Sequence, residues 1–212
     1  MFDVAPQQDS GLPMARLDEP APLFEARSTQ GRIRLSDYAG RWVMLFAHPA
    51  DFTPVCTSEF VGLTKARDQF EALDCALIGL SVDSVYSHLA WFDRIEADFG
   101  IRPYFPLLED PSLAIAGSYG MIHPGASSTA TVRSVFVIDP HGTLKAMVHY
   151  PMEVGRSVAE LLRLVEALQA TAGNERVAPE GWSKGEELLN SAPATDAEAV
   201  TAGGNWYAGG TR

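Results

Sequence analysis

Cys56 lies in the stretch HPADFTPVCTSEF, residues 48–60, and the order Thr53-Pro54-Val55-Cys56 reads as the opening of a helix. Threonine is a good N-cap, and proline suits the first helical position, where the N–H it lacks would have no intrahelical partner. Cys56 then takes the third helical position, where a capping box would carry Glu or Gln. A sulfur placed there lies near unpaired backbone N–H groups and the positive end of the helix dipole, both of which favour thiolate over thiol. The thiolate is the nucleophile, so Cys56 is the candidate reactive group. The competing reading is a merely packed free cysteine, one of the most buried residue types.

The spacing also selects among thiol chemistries. A disulfide exchanger of this layout needs Cys-x-x-Cys, but the partner position holds Thr53. Attack on an electrophile that leaves a sulfenic acid remains open, and a hydroperoxide is such an electrophile. The only other cysteine is Cys75. A helix from Cys56 to about Leu73 would be roughly 25 Å long, which puts Cys75 near the opposite pole, whereas a disulfide needs Cα atoms within about 7 Å. Cys75 therefore reads as a packed thiol at the start of a strand. No protease signature surrounds Cys56. Two cysteines and five scattered histidines, without a close Cys-x-x-Cys or His-x-x-x-His pair, argue against a metal site. Gly79-Leu80-Ser81-Val82-Asp83 fails Gly-x-Ser-x-Gly at its last position, so a lipase elbow is not supported.

The elements that must position Cys56 follow from hydropathy. WVMLFA, residues 42–47, is a buried-strand run, and Phe60, Leu63, Ala66, Phe70 and Leu73 after the loop have near-helical spacing. The pattern repeats with ALIGLSV at 76–82 and a stripe of Val85, Leu89, Phe92, Ile95 and Phe99 ending at Gly100. YFPLL at 104–108 predicts a short strand, and SLAIAGSYG at 112–120 a short helix closed by glycine. RSVFVI at 133–138 and TLKAMVHY at 143–150 flank the turn Asp139-Pro140-His141-Gly142, which predicts a hairpin. A last helix carries Val158, Leu161, Leu162, Val165 and Leu168 on one face and stops near Gly173. Strand-helix alternation implies parallel crossovers and the tight turn an antiparallel pair, so the expected fold is α/β, a thioredoxin-like mixed sheet flanked by helices. Residues 14–173 form its domain, and 174–212 a C-terminal arm. Trp182, Trp206 and Tyr207 are apolar for a solvated tail and suggest docking on the core or a neighbouring subunit, with disorder the alternative for the last dozen residues.

Composition bounds the partners. The 212 residues hold 16 Lys+Arg and 27 Asp+Glu, a formal charge of −11. That balance lacks the basic stripe that nucleic acid requires and disfavours acidic membranes. The first residues do not resemble a secretory signal and no apolar run approaches a bilayer span, so a cytoplasmic protein is expected.

Pro49-Ala50-Asp51-Phe52-Thr53-Pro54-Val55-Cys56 resembles the P-x-x-x-T/S-x-x-C signature of peroxiredoxins, and His48 before it resembles the peroxiredoxin 6-like, often one-cysteine, subgroup of the AhpC/TSA family. The resemblance extends through GLSVDSVYSHLAW at 79–91, RSVFVIDP at 133–140, HYP at 149–151, Gly155-Arg156 and RVAPEGWSKGEELL. It implies that Cys56 is the peroxidatic nucleophile, that Thr53 hydrogen-bonds the peroxide and that Arg133 stabilises thiolate and developing oxyanion. Pro49, His48, Val55, Glu59 and Arg156 would complete the substrate-binding set, with Pro49 shielding the sulfur and Glu59 tying down arginines. Asn205-Trp206-Tyr207 resembles a C-terminal motif of some relatives without its cysteines. One-cysteine behaviour is therefore expected, with a small-molecule thiol, thioredoxin or glutaredoxin as external reductant, no cofactor, and a homodimer or a ring of five dimers. A peroxide sensor or holdase chaperone of the same fold is the alternative.

Overall fold

All six residues of Trp42–Ala47 are buried, as a strand covered on both faces must be. In the computed structural model, which describes residues 14–127, 129–203 and 206–208, this strand is an inner member of a seven-stranded sheet. The chain divides into two compact units, one ending at Arg156 and the other beginning at Ser157. The first runs β1 (Glu25–Ser28), β2 (Gly31–Arg34), β3 (Trp42–Ala47), α1 (Pro54–Lys65), α2 (Arg67–Ala72), β4 (Cys75–Ser81), α3 (Val85–Phe99), β5 (Leu107–Glu109), α4 (Ala114–Ser118), β6 (Arg133–Ile138) and β7 (Leu144–Tyr150).

Strand order is β2-β1-β5-β4-β3-β6-β7. β3 pairs parallel with β4 and antiparallel with β6, and β6 pairs antiparallel with β7, with Arg133 opposite Tyr150. The sheet is thus mixed and thioredoxin-like, as expected. The hairpin of β1 and β2 extends it at one edge, an element too short to announce itself in hydropathy. Alternation along β3 divides its side chains between two cores. Val43, Leu45 and Ala47 join Ile78, Leu80, Ile115 and Phe136 on one side. On the other, Phe46 meets Phe60 of α1 at 5.6 Å between ring centroids, and Phe60 meets Trp91 of α3 at 4.5 Å.

Three expectations are corrected. The single helix expected after Cys56 breaks at Ala66 (φ −87°, ψ 11°) into α1 and α2. Just before the break, the Thr64 hydroxyl donates to the Phe60 carbonyl at 2.6 Å, a back-bond of the kind that bends helices. The expected stripe on α3 is rotated: Leu89 and Phe99 are exposed, whereas Val85, His88, Trp91, Phe92 and Ile95 are buried. Polar bonding turns it, because Trp91 Nε1 donates to Thr57 Oγ1 at 3.3 Å and both ring nitrogens of His88 find buried partners. The strand expected at 104–108 begins only at Leu107, after Pro106, which has no N–H to give a ladder.

The second unit contains α5 (Val158–Thr171), β8 (Arg176–Val177) paired antiparallel with β9 (Leu189–Asn190), and α6 (Asp196–Ala202). Ser157 caps α5 through the Glu160 N–H, and Leu161, Leu162 and Val165 are buried. Trp182 is buried and donates from Nε1 to the Glu186 carbonyl at 3.1 Å, while Trp206 and Tyr207 are exposed. Asn205 and residues 1–13, read above for a signal, lie outside the described residues. Among the described residues, no helix is long and apolar enough to cross a membrane.

Candidate active site

Thr53 is the N-cap of α1, with extended backbone (φ −90°, ψ 149°), and Pro54 takes the first helical position, so Cys56 is third as the sequence requires. Phe52 precedes it at φ +59°, a left-handed conformation costly for a bulky residue, by about 1–2 kcal/mol. The Thr53 hydroxyl does not cap the helix. It donates to the Ala50 carbonyl at 3.1 Å, which uses its proton and leaves its oxygen able to act only as an acceptor.

Cys56 is fully buried, and Arg133 Nη1 donates to its sulfur at 3.2 Å. Arg133 begins β6, and its side chain is 4% exposed, not solvated as a basic residue at a strand end ordinarily is. Its Nε and Nη2 donate to the Met152 carbonyl at 2.9 and 2.8 Å, and Nη1 also donates to Glu59 Oε2 at 2.8 Å. Glu59, three residues after Cys56 on α1, is buried rather than solvated. Arg156 closes on it from the opposite side, donating from its backbone N–H and Nε to Oε1 and from Nη2 to Oε2, each at 2.8 Å. Arg156 Nη1 ties the group to the sheet through the carbonyls of Ala47 and Ser134.

Two buried arginines and one buried carboxylate leave this cluster with one net positive charge beside the sulfur. Burial alone would raise the Glu59 carboxyl, but hydrogen bonds and charge from Arg156, with Arg133 adding, hold it below the usual carboxylate range. A thiolate at Cys56 brings the cluster to neutrality, and low local dielectric strengthens the attraction.

Gly155 makes the approach of these elements possible. A Cβ there would stand 3.1 Å from Val55 Cγ1 and 3.9 Å from Glu59 Cγ. Pro49 and Val55 are half-buried. The structure therefore brings together Cys56, Glu59, Arg133 and Arg156 by direct contact, with Thr53, Pro49 and Val55 on the same loop and first turn.

His48 follows the end of β3 and is fully buried, its Nε2 at 2.8 Å from Asp51 Oδ1. The other carboxylate oxygen, Oδ2, lies 2.7 Å from His88 Nδ1, and His88 Nε2 lies 3.2 Å from the Leu108 carbonyl. The Thr131 hydroxyl donates to the His48 carbonyl at 2.8 Å. Sequence reasoning passed over Asp51, His88 and Thr131. The spacing 85, 88, 92 and 95 on α3 could have found His88, had a polar residue been admitted to the buried stripe.

Among the described residues, His48, Asp51 and Asp83 bring possible metal-ligand atoms within 4.8 Å of one another. Those atoms are already engaged: Asp51 bonds both histidines, and Asp83 Oδ2 accepts from the Asp51 N–H and the Ser81 hydroxyl. Cys75 opens β4 opposite Trp42, at the far end of β3 from the Cys56 loop, and burial pushes its thiol up to about 12.

Comparison with known proteins agrees with this geometry. A model of the AhpC/TSA family matches residues 17–147. A peroxiredoxin of Aquifex aeolicus is 48% identical over 199 residues, covering 88% of this chain and 89% of that protein. The peroxiredoxin 6 of Arenicola marina, solved as a cysteine-to-serine mutant, superposes with a TM-score of 0.79 at 34% identity, covering 88% of each chain. A yeast mitochondrial 1-Cys peroxiredoxin, described with a thiol-resolving mechanism via glutathione/thioredoxin systems, gives a TM-score of 0.80 at 36% identity, covering 89% of this chain and 92% of that one. Since the family match spans more than half the chain and the likeness to the Aquifex protein runs nearly end to end, the chain belongs to the AhpC/TSA family and is a peroxiredoxin, an enzyme with thiol peroxidase activity.

Proposed function

We propose that Cys56 is the peroxidatic nucleophile, reducing hydrogen peroxide and alkyl hydroperoxides, and that an external thiol regenerates it. The observation that carries this reading is the 3.2 Å contact from Arg133 Nη1 to Cys56 Sγ inside a buried cluster of net charge +1. The thiolate attacks the nearer peroxide oxygen, an S–O bond forms, the O–O bond breaks, and both bonding electrons leave with the distal oxygen. That oxygen departs as hydroxide or alkoxide and takes a proton from water, and the sulfur is left as sulfenic acid. Negative charge moves from sulfur to the leaving oxygen, where fixed donors stabilise it without reorganising. Four contacts occupy Arg133, which has five N–H groups, so one remains for that oxygen. Thr53 accepts the O–H of the attacked oxygen, and Pro49 and Val55 limit access of water.

Resolution of the sulfenic acid by Cys75 in the same chain is disfavoured by its place at the other end of the sheet and by its buried, protonated thiol. The reductant is a small thiol, thioredoxin or glutaredoxin, a reading supported by the systems named for the yeast relative. Intact mass after one equivalent of hydrogen peroxide tests the assignment. Wild type and Cys75→Ser gain one oxygen, Cys56→Ser gains none, and turnover continues on adding dithiothreitol or glutathione with glutaredoxin. Oxidation that persists in Cys56→Ser and disappears in Cys75→Ser would overturn it.

A further inference from the structure

A cavity of about 730 Å³, lined in part by Met14, Gly120, His123, Val132, His149 and Pro151, takes no part in the chemistry described so far. Within its largely apolar wall, His123 and His149 stand together, their ring centroids 5.1 Å apart and their planes tilted by 44°. Two imidazoles bound to one tetrahedral ion at 2.0–2.1 Å per nitrogen hold their centroids about 5.2 Å apart. Plain ring packing covers the same range, so the ring nitrogens must decide between the two.

Each ring is anchored through one nitrogen, and the other has no partner among the described residues. His123 Nε2 lies 3.1 Å from the Gly120 carbonyl, which can only accept, so Nε2 carries a proton and Nδ1 is left for a ligand. His149 faces Ser134 across the β6–β7 ladder, its Nδ1 2.9 Å from Ser134 Oγ. A hydroxyl accepts as readily as it donates, so Nδ1 can hold the proton there and leave Nε2 bare. Phe136 packs edge-on against the His149 ring at 5.6 Å and fixes it further. A protein group behind each ring, setting tautomer and orientation, is the usual support of ligating histidines. Desolvation, with His123 adding, lowers the His149 pKa, which keeps its ring in the neutral, metal-binding form at neutral pH.

A third donor stands on the same wall. Met14 Sδ lies against Gly120, where a Cβ at φ +66° would meet it at 3.3 Å, so the missing side chain makes room for the thioether. The same glycine's carbonyl holds His123. Met14 is 59% exposed, and an unbranched side chain with three rotatable bonds can swing its sulfur to a ligand. No carboxylate stands among the described lining residues, which disfavours magnesium, calcium and manganese. Imidazole suits zinc and copper alike, and a thioether beside it selects copper(I).

We propose that His123 Nδ1, His149 Nε2 and Met14 Sδ bind one copper(I) ion. The fold, not the spacing, joins these residues, which is why a search for close His and Cys pairs argued against a metal. They also differ from the group around Asp51, whose ligand atoms are taken up within the protein.

The test is titration of the reduced chain with copper(I) under argon in competition with bicinchoninate, whose coloured complex fades as the protein takes the ion. Wild type takes one equivalent. His123→Ala and His149→Ala each lose more than about 100-fold in affinity, beyond the cost of removing a ligand's hydrogen-bond partner, and Ser134→Ala loses about tenfold. Met14→Leu weakens copper(I) binding and leaves zinc(II) binding unchanged. Cys56→Ser keeps the wild-type affinity, which separates this site from the reactive thiol. Silver(I), a redox-inert stand-in, provides a reading on the wild-type chain should a variant fail to fold: ring proton resonances of two histidines and one methionine methyl resonance shift together. Copper(I) held undiminished by both histidine variants, an unaltered affinity in Met14→Leu, release of the ion in Cys56→Ser, or silver(I) that leaves the histidine resonances in place would each overturn the proposal.

Discussion

Arg133 answers two demands that a simpler cation could not meet together. Three of its contacts hold it in place, two to the Met152 carbonyl and one to Glu59, while Nη1 reaches the sulfur. A planar fork can satisfy these directions at once, whereas an ammonium is a point charge on a flexible stem. Arg133→Lys therefore preserves the charge of the cluster and loses its geometry. The expected result is a rate constant for hydrogen peroxide lower by about 100-fold, comparable to losing one donor to a developing oxyanion. Stopped-flow oxidation measured against the far-UV spectrum of the folded variant checks this. A lysine enzyme with wild-type kinetics would mean that charge alone suffices. Glu59 shows why such residues are hard to recognise in a sequence. A glutamate one turn into a helix is ordinarily solvated, and only the two arginines that meet it, 74 and 97 positions away, make it part of the site.

At the scale of elements, most of what depended on local pattern was legible, the break at Ala66 and the late start of β5 after Pro106 being the exceptions. Thr53, Pro54 and Cys56 stand at the helix start because cap chemistry acts over four residues, and β3, β4, β6 and β7 follow from continuous apolar runs or a turn signal. The other parts that escaped depend on partners distant in the chain. The rotation of α3 is set by Thr57, Asp51 and Leu108, none of which its own periodicity could name. Gly155 belongs to the same class, since its reason lies against Val55 on another element. Its absent side chain lets α1 and the Gly155-Arg156 segment close on Glu59, and a methyl there meets Val55 Cγ1 at 3.1 Å. Gly155→Ala is expected to cost about 1–3 kcal/mol through overpacking and to slow peroxide reduction by displacing Glu59 and Arg156 together. Val55→Ala in the same chain removes the methyl that is struck. The double variant should thus recover part of both losses, and strictly additive urea midpoints and rates would show that the two positions do not meet.

For the whole molecule, the net charge of −11 and the buried site make opposite demands as pH falls. Protonating surface carboxylates relieves self-repulsion and would stabilise the fold. The buried groups act the other way. His48, lowered mainly by burial, stays neutral in the folded chain, so below its unfolded value of about 6.5 the unfolded chain takes up a proton that the folded one refuses. Asp51 and Glu59 are both lowered by their partners despite burial, and the stability they contribute is present above their unfolded values of about 3.9 and 4.3 and is lost as pH falls through the folded ones. Cys75, raised by burial to about 12, gives the mirror image: its contribution is complete below the unfolded thiol value of about 8.5 and is lost as pH rises toward 12. Ionic strength decides between the two demands, because at about 0.15 M salt the screening length is near 8 Å, which weakens surface repulsion and leaves the buried terms almost untouched. Urea midpoints in that salt should therefore be level from about pH 7 to 8, decline gently below 6.5 and steeply below 4.5, and decline again above 9. Asp51→Asn should flatten the steep acid limb, and Cys75→Ser the alkaline one. A midpoint that rises as pH is lowered from 6.5 to 4.5 in 0.15 M salt would show that surface repulsion, and not the buried charges around the reactive cysteine, sets the stability of this chain.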